Sequence, residues 1–360
     1  MKVLQLIDSL RLGGAEKMSV SYANALAKRV DGSYLCSTRL EGSLKEELDR
    51  RINYLFLNKK SSLDKNAIFK LKNFIKKNNI DIVQAHGGSY FIACLVKMVW
   101  PNFKLVWHIH NGASEKMNLF ELNILKFLSR FFDGIISVNI TLSNWAEENL
   151  NCKHIIDLPN FVLNNSSTAI GDLILKGDRD AFKIICVANL RPEKDYSNLI
   201  KAFNEFAINK NVSLHIIGND IDSSYSKKIL KELENSEFTN KMFYYGSRTN
   251  VSLVLKQANL GVISSRSEGL PVALLEYGSA GLYVVSTDVG ECKNVIKNNG
   301  IVVNKEDPIS LSKAFNTYYS NIELAKTDAL KFHNDINENY SPSAVVSKLI
   351  SFYNTILITN

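Results

Sequence analysis

The chain has 360 residues, 46% hydrophobic and 22% charged, with a formal net charge of +7. That length is too great for one ordinary core and predicts two domains. No apolar run approaches the ~20 residues of a membrane span, and residues 1–6 lack the long apolar core and small-residue cleavage site of a signal peptide, so a secreted or membrane-spanning chain is not expected.

Short strand-like runs alternate with helical patterns from end to end. In the first half, strands are expected at residues 3–7, 34–37, 82–85, 105–109, 134–138 and 154–158. Helical stretches fall between them, among them 15–28, 64–77 and 119–132. A polar stretch at 163–168 breaks the pattern and reads as a linker. The second half repeats the scheme, with strands at 182–187, 212–217, 242–245, 260–263, 283–286 and 301–303 and a final helix at 343–357. Such alternation implies parallel sheets covered on both faces. The fold class is therefore α/β, with two Rossmann-like doubly wound domains. The expected boundaries are 1–163 and 164–340, followed by a C-terminal helix, 341–360, that could cross back to the first domain. In open parallel sheets ligands bind beyond the carboxyl ends of the strands. Two such edges facing one another would make a central cleft, so the loops that follow strands are where chemistry is expected.

Charge is unevenly divided. Residues 1–163 hold 22 Lys and Arg against 15 Asp and Glu, and the rest of the chain is balanced. A basic first half attracts anionic lipid or phosphorylated acceptors. No Lys/Arg run interleaved with aromatics is present, which argues against nucleic acid as a partner. The five cysteines are scattered, without Cys-x-x-Cys spacing. A disulfide framework or zinc site is not expected, and a reducing, cytoplasmic setting is.

The motifs follow predicted strands. After the first comes Arg11-Leu12-Gly13-Gly14-Ala15-Glu16, whose glycines let backbone approach a ligand at a helix start. It is not the Gly-x-Gly-x-x-Gly of dinucleotide enzymes. His86 and His110 stand at the ends of their strands, where a histidine can bond a sugar hydroxyl or a phosphate-bearing group. His108 is expected inside its strand as a core group. No histidines show the helical spacing of a metal site, so no metal is expected.

In the second half, Asn189-Leu190-Arg191-Pro192-Glu193-Lys194 follows a strand. Arg191 and Lys194 can neutralise a diphosphate, the first as a fork and the second as a point charge. Gly218 and Gly246 also lie at strand ends. Then comes Ser267-Glu268-Gly269-Leu270-Pro271, a tight turn opening an apolar helical run that carries Glu276. Seven residues separate the two glutamates, about two helical turns, so they can share one side. A helix mouth suits a phosphate, and carboxylates beside it suit sugar hydroxyls.

Arg191, Lys194, Glu268 and Glu276, in this order on a second doubly wound domain, resemble the family-four retaining glycosyltransferases, also called glycosyl transferases group 1. Gly13-Gly14-Ala15-Glu16, His110, Pro159-Asn160-Phe161-Val162, Gly246, the Ser267–Glu276 block and Thr287-Asp288-Val289-Gly290-Glu291 are all similar to family motifs, and the resemblance spans nearly the whole chain. It implies the two-domain GT-B fold and a donor that is a nucleoside-diphosphate sugar, uridine diphosphate being the first candidate carrier. Glu276 would bind the ribose, Glu268 the donor sugar and Lys194 the diphosphate, while His110 would approach the sugar from the first domain. Asn189, Gly218, Gly246, Ser267, Gly269, Leu270 and Pro271 would complete the donor site. Gly13, Gly14, Arg11, Glu16 and His86 would form the acceptor or phosphate loop. Asn189 stands where the family often has arginine, and Arg191 is the candidate replacement.

The expected activity is retaining, metal-independent and cofactor-free transfer of a hexosyl group. The acceptor would be a hydroxyl of a saccharide or polyprenyl-linked molecule, in the assembly of a surface polysaccharide. The same fold also serves nucleotide-sugar epimerases, and a non-catalytic sugar- or lipid-binding protein is a further alternative. The apolar, basic segment 116–132 adds an expected contact with anionic lipid on the inner face of the cell membrane.

Overall fold

The computed structural model describes residues 1–110, 117–163, 173–220, 223–248 and 251–359. Asn111, Gly112, Lys116 and the linker residues 164–168 lie outside that set. The chain divides into two compact units, Met1–Leu163 with Pro342–Asn360, and Asn164–Ser341.

The first unit runs β1 (Lys2–Ser9), α1 (Gly14–Leu26), β2 (Gly32–Leu40), β3 (Asn53–Phe56), α2 (Lys65–Asn78), β4 (Ile82–His86), α3 (Tyr90–Val99), β5 (Lys104–Ile109), α4 (Leu119–Leu128), β6 (Gly134–Ser137), α5 (Ile140–Asn149) and β7 (Ile155–Asp157). Its seven strands are ordered β3-β2-β1-β4-β5-β6-β7, and every pairing is parallel. The central strands are sealed on both faces: Val3, Leu4, Leu6, Ile82, Val83, Leu105 and Val106 are fully buried. That explains why they read as continuous apolar runs. Strand β3 was not expected, because Asn-Tyr-Leu-Phe is short, lies at the sheet edge and is only half-buried.

Local chemistry marks the helix ends. The Asp64 carboxylate accepts from Ala67 N at 3.1 Å and starts α2, and Asn79 closes it in the left-handed region at φ 51°. Asn118 and Glu121 form a reciprocal cap on α4. That helix ends at Leu128 and tightens into a single 3-10 turn, Ser129–Phe131, so the expected helix at 119–132 is two elements.

The second unit runs β8 (Phe182–Val187), α6 (Tyr196–Ala207), β9 (Val212–Ile217), α7 (Ser224–Glu234), β10 (Met242–Tyr244), α8 (Ser252–Leu255), β11 (Leu260–Ile263), α9 (Val272–Ala280), β12 (Tyr283–Thr287), α10 (Cys292–Ile296), β13 (Ile301–Val303), α11 (Pro308–Ser320) and α12 (Ile322–Asn339). Its sheet is ordered β10-β9-β8-β11-β12-β13, again wholly parallel. Its main core joins Phe203, Phe206, Phe315 and Tyr318 to Ile184, Leu214 and Val262 beneath α6 and α11.

The last helix, α13 (Pro342–Ile358), packs on the first unit. A Cβ on Gly134 would meet Ile356 and Phe352 at 2.5 and 2.8 Å, so α13 lies directly against β6.

In both sheets strand order reverses once, between β1 and β4 and between β8 and β11. Crossovers on the two sides of such a point leave by opposite faces, and the loops part to leave a crevice at the strands' carboxyl ends. The loops after β1 and β4, and those after β8 and β11, carry most of the expected site residues.

Candidate active site

In the second unit the loop after β8 makes one 3-10 turn, Pro192–Lys194, and passes through Asp195 in the left-handed region at φ 47°. It is fastened to the loop after β11. Ser264 Oγ donates to Lys194 O at 2.9 Å, Arg266 N donates to Glu193 O at 2.8 Å, and Arg266 Nε donates to Asp195 Oδ2 at 2.9 Å. The two loops are therefore tied together at three points. At their junction Lys194 Nζ donates to Glu268 Oε1 at 2.6 Å, and Ser265 Oγ donates to the same oxygen at 2.6 Å.

This pair is partly sealed. The Lys194 side chain is 22% exposed and that of Glu268 is 9% exposed. A charge-assisted bond in such surroundings is strong and directional. Lysine carries three donors, so the bond to Glu268 engages one and leaves others for an incoming anion. Arg191 is different: half-exposed, it stands 3.8 Å from Glu193 across an open surface. Such a pair contributes little to stability and leaves Arg191 available.

A third loop braces the second. Glu291 N donates to Gly269 O at 2.9 Å, and Thr287 Oγ1 donates to Ser265 O at 2.7 Å. Gly290 has φ +50°, and a Cβ there would lie 2.3 Å from Gly269 O and 2.5 Å from Glu268 O. Only glycine lets these chains approach so closely. Leu270 is buried within this turn, between Gly269 and the helix start.

Helix α9 begins after Pro271, so Glu268 lies just before it and Glu276 near its middle. Glu276 is 8% exposed. The helix is pinned over the sheet by its neighbour: Tyr277 Oη accepts from Val187 N at 2.7 Å. Ser267 is an exposed member of the same turn.

In the loops that follow β8, β9 and β10, Gly218 N donates to Gly246 O at 3.0 Å, and Asn189 Oδ1 accepts from Asn219 N at 2.9 Å. A Cβ on Gly218 would collide with Ala188 O at 1.8 Å. Asn189 and Gly218 thus hold the edge of the crevice together.

In the first unit, Gly13 caps α1 and Gly14 is its first residue, while Arg11 on the preceding loop is exposed. The Glu16 carboxylate reaches back to the cap, occupying the place where a Gly13 side chain would begin. His86 closes β4 and is fully buried, His108 on β5 lies directly opposite it, and His110 follows β5. His86 Nδ1 and His110 Nε2 are 2.7 Å apart. Burial pushes all three pKa values down, that of His110 to about 3. The rings are neutral at physiological pH and act as hydrogen-bonding groups.

Sequence reasoning passed over several residues. Asp195, Ser264, Ser265, Arg266 and Thr287 build the frame of the Lys194–Glu268 pair. Asp8, at the end of β1, accepts from Thr38 Oγ1 and has Arg39 Nε and Lys59 Nζ each at 3.9 Å. Asp8 near the end of β1 and Asp195 immediately before α6 border the motifs, and those positions were a usable signal. Lys59 carried none, because it follows the unrecognised β3.

Two doubly wound parallel-sheet units in one chain, the second with a lysine and a glutamate gathered at its switch point beside a helix start, make an α/β protein of the GT-B class. Residues 175–329 match the model described as glycosyl transferases group 1, and residues 12–162 match that described as glycosyltransferase family 4. The chain belongs to the group 1 glycosyltransferases and is a glycosyltransferase enzyme. It is 29% identical over 298 residues to the O-antigen biosynthesis glycosyltransferase WbnH of Escherichia coli, covering 76% of this chain and 78% of that protein. It is 23% identical over 304 residues to the capsular polysaccharide biosynthesis glycosyltransferase CapH of Staphylococcus aureus, covering 82% and 83%. Among solved structures, Anabaena Alr3699/HepE in complex with UDP and glucose shares the fold at a TM-score of 0.83 and 16% identity, covering 99% of this chain and all of that one.

Proposed function

We propose that the enzyme moves a sugar from a nucleoside-diphosphate sugar, UDP-linked, to a hydroxyl of a saccharide or polyprenyl-linked acceptor in surface-polysaccharide assembly, with retention of anomeric configuration. The observation that carries this reading is the Lys194–Glu268 pair held at the switch point of the second sheet. The leaving diphosphate gains negative charge as the glycosidic bond breaks. Lys194, Arg191 and the amides at the start of α9 supply positive potential where that charge grows. Those groups take the place a metal would fill, and the proposal is metal-independent transfer. Glu268 contacts the donor sugar and Glu276 the ribose. The acceptor hydroxyl attacks on the face the diphosphate leaves, and the leaving phosphate takes its proton. Relatives named for O-antigen and capsule biosynthesis support the polysaccharide context, and a fold relative solved with UDP supports the carrier.

The first unit is proposed to rest on anionic membrane. Phe120, Ile124 and Phe127 form one exposed stripe of α4, with Phe120 74% and Phe127 54% exposed. The Arg130 guanidinium lies 5.8 Å from the Phe127 ring centroid, so a cation flanks the stripe. An apolar face edged by basic residues suits an interface with anionic lipid. Among the described residues no helix is long and apolar enough to cross a membrane.

The test is a panel of UDP-, GDP- and dTDP-sugars read by thermal unfolding. A donor at ~100 times its dissociation constant stabilises the native state by ~2.7 kcal/mol. UDP-sugars should protect, and nucleotide release should require an acceptor. Conversion of the donor sugar with no acceptor would point to an epimerase. Protection by none of the panel would sink the reading.

A further inference from the structure

A buried chain of polar side chains runs through the first unit from β1 to α13. It links Tyr353, Gln84, Gln5, His86 and His110, with His108 on a side branch. All except His110 are sealed from solvent.

Each link can be given a direction. The Tyr353 hydroxyl donates its one proton to Gln84 Oε1. Gln5 Nε2 donates to the same oxygen at 3.3 Å, and Gln84 Nε2 donates to His108 Nδ1 at 2.8 Å. Gln5 Oε1 then faces His86 Nε2 at 2.6 Å, and an amide oxygen only accepts, so His86 carries its proton on Nε2. A neutral imidazole has one N–H, which leaves His86 Nδ1 a bare lone pair. His110 Nε2 must donate to it, across 2.7 Å. His110 Nδ1 is consequently a lone pair too, and it is buried with no hydrogen-bond partner among the described residues. Running the chain the other way would reverse every link and turn both amides over, and the ring tautomers distinguish the two directions. A cation among the three rings, which can each offer one nitrogen within 4.8 Å of the others, would need a lone pair from each. His86 has none to give while it bonds Gln5 and His110.

We propose that Gln5 and His86 are positioning residues, which fix His110 as its Nε2–H tautomer and present the Nδ1 lone pair to a substrate hydroxyl. The proposal rests on the transferase reading above and deepens it. A buried acceptor without a donor is costly, and a sugar hydroxyl supplies the donor. Burial keeps His110 neutral, so its role is to accept a hydrogen bond and not to deliver a proton. Tyr353 brings α13 into the relay, which ties the far end of the chain to the orientation of one ring.

The experiment uses full-length protein carrying ¹⁵N-histidine, with His86, His108 and His110 assigned by single His→Gln variants. Long-range ¹H–¹⁵N spectra should show all three with the proton on Nε2. A proton on Nδ1 of His110 in the unaltered protein would overturn the proposal, and that spectrum decides the matter even if a variant fails to fold. Gln5→Met removes the acceptor at similar volume. It should release the His110 tautomer and lower kcat by roughly 10- to 100-fold, the loss seen when outer partners of metal-binding histidines are removed. Gln5→Glu keeps the acceptor for His86 but loses the donor to Gln84 Oε1, so it should retain the tautomer and more turnover than Gln5→Met, at some cost in stability. Unchanged tautomers and kcat in Gln5→Met would also overturn it. UDP-induced thermal shift is measured beside these. Its absence in the unaltered protein would count against the donor reading, while the tautomers judge the relay.

Discussion

Lys194→Ala separates the stabilising role of the Lys194–Glu268 pair from its chemical one. The substitution removes a bond of 2.6 Å and leaves a 9%-exposed carboxylate to which Ser265 Oγ still donates. Loss of a charge-assisted bond costs ~1.5–3 kcal/mol. A fully buried orphan charge would cost ~3–5 kcal/mol. Lys194 is 22% exposed, so water partly replaces it, and with Ser265 retained the expectation is about 2 kcal/mol. At ~2–4 °C per kcal/mol, the melting temperature should fall by ~4–8 °C. Such a protein remains folded at 25 °C. Transfer should nevertheless fall by ~10²–10³-fold in kcat, because a preorganised donor to the developing charge is gone. The double variant Lys194→Ala/Glu268→Gln should regain much of the stability, the orphan charge being neutralised, and none of the turnover. The assays are calorimetric unfolding and nucleotide release with donor and acceptor present. Near-parental turnover in Lys194→Ala would refute the chemical role. A double variant no more stable than the single would refute the electrostatic account of the pair.

Three further outcomes are expected. Gly290→Ala forces a left-handed backbone on a residue with a Cβ and drives that atom against Gly269 O and Glu268 O, so stability should fall by ~2–4 kcal/mol and activity with it; an unfolding midpoint equal to the parent's would contradict the packing. Burial depresses the pKa of His86, His108, His110 and His215, the last two to about 3 and about 4. Unfolded histidines titrate near ~6.5, so below that pH the unfolded chain binds more protons and stability is lost as pH falls, by at most ~1.4 kcal/mol per unit for each group. Urea midpoints that stay level from pH 7 to pH 5 would argue against this. Finally, Phe120→Asp with Phe127→Asp should abolish flotation with anionic vesicles at low salt while leaving nucleotide protection intact, since both rings are exposed; undiminished flotation would place the contact elsewhere.

The sequence by itself determined the two doubly wound units. Strands β8, β9, β11 and β13 have the bounds their largely apolar, β-branched runs suggest, and β9 and β11 are buried along their whole length, as a strand covered on both faces must be. It also placed Lys194, Glu268, His86 and His110 on loops or strand ends at the carboxyl edge, since a residue that follows a strand has little choice of position. Strand order was decided only by tertiary structure. Parallel pairing joins segments far apart in the chain, as β1 with β4, and no local pattern records which partner a strand takes. The same holds for the bonds that orient the chemistry. Ser264 Oγ reaches Lys194 O across 70 residues, and Tyr353 reaches Gln84 across 269. A buried polar side chain must find a partner wherever the fold puts one, so the direction of the His110 lone pair is set by Gln5 and by a helix at the other end of the chain.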